Sequence, residues 1–128
     1  IELALSYDVP QNNHNAHVVY GMISLRQGDT MIARESFNTA LSVCDEMLAK
    51  NPDNYDAKDA KGLALCGLAL LDDDTNKVTE AKAVFHSARS KTKNLKGVIG
   101  KIQRQFDALA VVDSDALLVG VREAIAGE

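Results

Sequence analysis

Ala33-Arg34-Glu35-Ser36-Phe37-Asn38-Thr39-Ala40 and Ala81-Lys82-Ala83-Val84-Phe85-His86-Ser87-Ala88 are two copies of one phrase. Each places a small residue, an aromatic and a second small residue at steps of four and three. Those steps return to the same face of an α-helix, so what repeats is a way of packing. No segment shows the period-two alternation of a strand.

Turn-forming residues gather at 10–13, 28–29, 51–54, 72–74 and 113–114. The stretches between them predict helices over 1–8, 13–27, 30–50, 55–72, 76–92, 95–111 and 115–126. Asp29 and Thr30, Asn54, Thr75 and Asn76, and Ser114 are placed to accept hydrogen bonds from first-turn N–H groups. The connections are short, which forces successive helices to lie antiparallel.

Ahead of the first phrase stand Tyr20 and Gly21, with Gly21 twelve residues before Ala33. A bulky residue and a small one, then small, aromatic and small at these steps, resemble the tetratricopeptide repeat. The resemblance implies an all-α fold: a right-handed superhelical stack of antiparallel helical hairpins, an α-solenoid of about seven helices. It divides the single domain 1–128 into the end of a preceding repeat (1–10), two repeats (13–50 and 54–92) and a degenerate repeat or cap (95–128). The chain is expected to be part of a longer array. His17 stands where the family carries an aromatic.

The phrases lie 48 residues apart, against a family period of about 34, which leaves about 14 residues, or two heptads. One heptad lengthens the helix of Phe37, because the family's proline falls at Pro52 rather than at Asp45. Counting back from Ala81 makes Ala69 the second small position, so the other heptad lengthens the start of the helix at Tyr55, with Gly62 on the same face. A protruding hairpin is expected around 51–54. In the last segment, Val98, Ile99, Ile102, Phe106 and Leu109 form one apolar stripe, and Leu117, Leu118, Val121 and Ile125 another.

In the family, the first helices of successive repeats line a partner-binding groove. Carried onto this chain, the resemblance implies a groove of Asn15, Val18, Met22 and Arg26 in the first hairpin. Asp56, Asp59, Leu63, Cys66 and Leu70 continue it in the second. Its centre is apolar and one end acidic, which suits a peptide, a helix or a sister domain of the same protein. Val18, Met22, Leu63, Cys66 and Leu70 are also placed to be core, covered by the chain's last helix or by further repeats. The family's clamp for acidic C-terminal tails needs Lys and Asn where Val18, Met22, Cys66 and Leu70 stand, so that ligand class does not fit.

Arg89, Lys91, Lys93, Lys96, Lys101 and Arg104 form a run of six cations with no acid among them, a candidate patch for an anionic partner. No aromatics are interleaved for base stacking, and the net charge is −4, so nucleic acid is not the favoured partner. Cys44 and Cys66 have no metal-ligand spacing and read as reduced packing thiols of an intracellular, cytoplasmic protein. Asp72-Asp73-Asp74 lacks the glycine and distal Glu of a calcium loop, and His14, His17 and His86 have no catalytic or metal motif around them. No apolar run is long enough for a membrane span. The expected function is therefore a non-enzymatic protein-interaction scaffold without cofactor, with self-association open to it. The alternatives are a regulatory or sensor arm of a multidomain signalling ATPase or transcription regulator, and weak binding to nucleic acid or an anionic surface.

Overall fold

Asn13, Asp29 and Asn54 each set a helix start. Their side-chain oxygens accept from the backbone N–H three residues on: Ala16 at 2.9 Å, Ile32 at 3.2 Å and Ala57 at 3.1 Å. Each satisfies a first-turn donor that has no partner inside its helix. The computed structural model describes residues 13–92 and 95–128. Among the described residues the chain is all helix and turn, with no strand. The helices are α1 (His14–Arg26), α2 (Thr30–Lys50), α3 (Tyr55–Asp72), α4 (Thr75–Thr92), α5 (Lys96–Ala110) and α6 (Val121–Ile125). The helix expected over 1–8 lies outside the described residues.

Ion pairs fix the helix directions. Arg34 near the start of α2 meets Asp72 at the end of α3 at 2.6 Å, and Lys61 early in α3 meets Asp45 late in α2 at 2.8 Å. These two helices are therefore antiparallel. At the start of α3, Lys58 donates to Ser87 late in α4 at 2.7 Å, which makes that pair antiparallel as well. His14 and Asn15 in the first turn of α1 reach Asp56 in the first turn of α3, so α1 and α3 run side by side in the same sense. The α2–α3 connection does not stand clear as a protruding hairpin, because the first turns of α3 are flanked by α1 on one side and α4 on the other.

The repeated phenylalanines hold this part together. Phe37 of α2 is wedged between Gly21 of α1 and Gly67 of α3; a Cβ at Gly21 would lie 2.7 Å from the ring, and one at Gly67 closer still. Phe85 of α4 sits on Gly62 of α3, where a Cβ would lie 2.5 Å from the ring. Both rings are fully buried. The sequence count assigned Ala69 as the small partner in the second hairpin. The structure instead seats Phe85 on Gly62, one heptad earlier on the same face, because only a residue without Cβ leaves room for the ring. The central helix α3 is buried around most of its circumference, from Ala57 to Ala69.

The C-terminal part is built differently. The stripe on α5 buries Ile102, Phe106 and Leu109, and the helix packs against α3 and α1. The helix expected over 115–126 is shortened to the 5 residues of α6. The Asp113 carboxylate accepts from the backbone N–H of both Leu117 and Leu118, at 2.9 and 2.8 Å, and holds the segment before α6 as turns. Ala116 and Gly120 then take left-handed backbone, φ 54° and 86°, which a continuous helix cannot contain. The cap expected at Ser114 is replaced by this Asp113 turn. The short helix α6 lies along α4, where Glu128 O accepts from His86 Nε2 at 2.9 Å.

Candidate functional site

Most of the expected partner groove is core. Val18, Leu63 and Cys66 are at most 1% exposed, Met22 is buried, and Leu70 packs against the same core. They are apolar residues on the facing sides of α1 and α3, and α5 lies against both helices, so water is excluded from them. As an open binding surface these residues are thereby corrected, apart from the outer edge of Met22. Asn15 and Asp56 are occupied with each other: Asn15 Nδ2 donates to Asp56 Oδ2 at 3.2 Å, and His14 Nε2 lies 2.6 Å from the same oxygen.

Asp59 and Arg89 were placed by the sequence in two different candidate sites, and they form one ion pair across α3 and α4. Both side chains are 2% exposed. Burial pushes the Asp59 carboxyl up to about 6, outweighing the lowering by its hydrogen bond and attraction to Arg89; Asp56 adds to the rise and Lys101 opposes it. Among the described residues Asp59 Oδ1 and Arg89 Nε and Nη1 have no hydrogen-bond partner. The pair is an internal charge couple, which removes Asp59 from the groove and Arg89 from the basic patch. Of that patch, Lys96, Lys101 and Arg104 are exposed on α5. Lys93 and the side chain of Lys91 lie outside the described residues.

An open groove does exist, on the neighbouring side of α1. One wall is Val19, Met22, Ile23 and Arg26 of α1, and the other is Lys101, Arg104, Gln105 and Ala108 of α5; together they enclose about 340 Å³. Both walls use the same spacing, i, i+3, i+4 and i+7, so each is a single helix face. Val19 is 39% and Ile23 45% exposed, and they stand one turn apart on the groove wall. Three cations, Arg26, Lys101 and Arg104, surround this aliphatic surface, and among the described residues no carboxylate lines it.

The groove joins the two candidate sets: Met22 and Arg26 from the expected partner surface, Lys101 and Arg104 from the expected anionic patch. Val19, Ile23, Gln105 and Ala108 were not foreseen. The spacing of 101, 104, 105 and 108 beside the apolar stripe of α5 was visible in the sequence, but which helix they would face was not.

Burial pushes the thiols of Cys44 and Cys66 up to about 12, which keeps them protonated and unreactive. In the acidic loop Asp72 pairs with Arg34, Asp73 ends α3 in left-handed backbone, and Asp74 pairs with Lys77 at 3.0 Å. Among the described residues no group of three or more His, Cys, Asp or Glu side chains is arranged to hold a metal ion. No described helix is long and apolar enough to cross a membrane. No family model matches the chain, and neither a curated protein nor a solved structure is significantly similar to it.

Proposed function

We propose that the chain is a protein-interaction module of tetratricopeptide type, a short helical solenoid that captures a helix or peptide in the groove between α1 and α5. The reading is carried by Val19 and Ile23: two aliphatic side chains exposed one turn apart on the wall of a concave surface. Support for the repeat architecture comes from the Phe37 and Phe85 wedges, which recur on glycines of adjacent helices, and from α1 lying beside α3 and α4 beside α6. Affinity would come from burying the aliphatic wall and specificity from the charged rim.

The test is selection of peptides from a displayed random library against the folded domain, followed by the same capture with Ile23→Glu. Binding is expected to disappear in the variant while its helical circular dichroism and melting temperature stay unchanged. Selected peptides that bind both proteins equally would show that the groove is not the capture site.

A further inference from the structure

We infer that the occupant of the α1–α5 groove is an acidic amphipathic helix. The inference rests on the groove being an interaction site and goes on to name the partner's chemistry.

The charge on the rim carries it. Five cations are neutralised within the fold: Arg34 by Asp72, Lys61 by Asp45, Lys77 by Asp74, Arg89 by Asp59 and Arg122 by Asp107. Arg26, Lys101 and Arg104, like Lys50, Lys58, Lys82 and Lys96, are in none of these pairs, and they differ from those lysines in sharing one apolar groove. Among the described residues no carboxylate lies within ion-pair distance of Arg26, Lys101 or Arg104, although the chain has 18 acidic residues against 14 basic. Three unpaired cations converging on one aliphatic groove form a positive field over an apolar floor, and complementarity asks for carboxylates flanking an apolar stripe.

The shape of the walls selects the partner's backbone. Each wall is an α-helical ridge, and the ridge-and-groove spacing of two such walls is matched by the i, i+3, i+4 face of a third helix. A volume of about 340 Å³ accommodates the side-chain ridge of a docking helix, not a whole helix. Among the described residues the lining contains Val, Met, Ile and Ala but no aromatic, which disfavours nucleic-acid bases, since their sequence-tolerant binding depends on stacking. Gln105 offers both a donor and an acceptor to a partner side chain.

The test uses three fluorescent probes with the whole chain: a model helix with Leu at i, i+3, i+4 and i+7 flanked by Glu, the same helix with Lys in place of Glu, and an oligothymidylate. The methyl signals of Val19 and Ile23 report where each binds. The acidic helix is expected to bind, to shift both methyl signals and to weaken as salt is raised. The triple variant Arg26→Glu, Lys101→Glu, Arg104→Glu, at three exposed positions, is expected to lower that affinity by about tenfold or more and to admit the Lys helix. The triple Gln variant should give an intermediate loss, which separates charge from misfolding.

Equal binding of both helices at Val19 and Ile23 would overturn the acidic partner and leave the interaction site standing. So would perturbation of these methyls by library-selected peptides alone. Tighter binding of the oligothymidylate would overturn the proposal in favour of nucleic acid, and a concentration-dependent dimer that buries Val19 and Ile23 would overturn it in favour of a second copy. Failure of every probe and every selected peptide to move these signals would end both readings.

Discussion

The part of the molecule from α1 to α4 and the part from α5 to α6 solve the same problem in different ways. In the first, neighbouring helices meet through residue-specific contacts. Phenylalanine wedges need glycine seats, Asn and Asp caps fix the starts, and ion pairs set the register. In the second, α5 starts at Leu95 and α6 at Gly120 without side-chain caps, and α5 is held by one amphipathic stripe against α1 and α3. Specific seats bury the faces they join, whereas a helix laid across others by a stripe leaves its flanks open, beside the exposed Val19 and Ile23 of α1. The groove lies along such a flank.

The largest effects should separate the two parts. Phe37→Ala is expected to cost about 3–5 kcal/mol in urea unfolding, because the cavity opens toward three helices at once. Phe106→Ala should have a different signature. Most of the helical signal of α1 to α4 should persist while Cys66, under α5, becomes open to a thiol reagent before Cys44 does. Simultaneous labelling of both cysteines would mean that α5 is not an independent cover.

Glycine substitutions sharpen the contrast at intermediate size. Gly67→Ala forces a methyl into the Phe37 ring and should destabilise by about 1–3 kcal/mol. A Cβ at Gly97 of α5 meets nothing within 4 Å, so Gly97→Ala should instead stabilise by about 0.5–1 kcal/mol through helix propensity. Equal signs in thermal melts would undo the distinction between seated and laid-on helices.

The buried pair gives a pH signature confined to the first part. With its folded value raised to about 6 and an unfolded value of about 3.9, Asp59 favours the folded state most below the unfolded value, and that contribution is lost as pH rises through the folded one. Wild type is therefore expected to lose stability relative to Asp59→Asn between about pH 4 and 7. A difference that is flat with pH would show that Arg89 keeps the carboxylate ionised throughout.

The smallest stability effect is expected at the groove. Ile23→Glu should stay within about 0.5 kcal/mol of wild type, since the side chain already meets water. A larger loss would place Ile23 among the seated residues of the first part.

Legibility followed the same division. The boundaries of α2 and α3 were readable because Asp29 and Asn54 act over three residues along the chain, and local hydrogen bonds of this kind require no knowledge of the fold. The shortening of α6 was not, because Ser114 stands where a cap for a full helix over 115–126 would stand. Only the turn that Asp113 builds on Leu117 and Leu118 decides against that helix. The apolar character of Val18, Met22, Leu63 and Cys66 was also plain, but a stripe on a helix face reads the same whether a partner or another part of the chain covers it.

By itself the sequence determined that this chain is helical, where most of its helices begin, and that Phe37 and Phe85 do equivalent work, since all three depend on spacing and local capping. Tertiary structure decided that Gly62 rather than Ala69 receives Phe85, that Asp59 belongs to Arg89, and that α5 covers the expected groove while opening another beside Val19 and Ile23. Each of these is settled by the angle and register at which one helix meets another. Packing fixes those quantities only when all the faces compete at once, so no single segment encodes them.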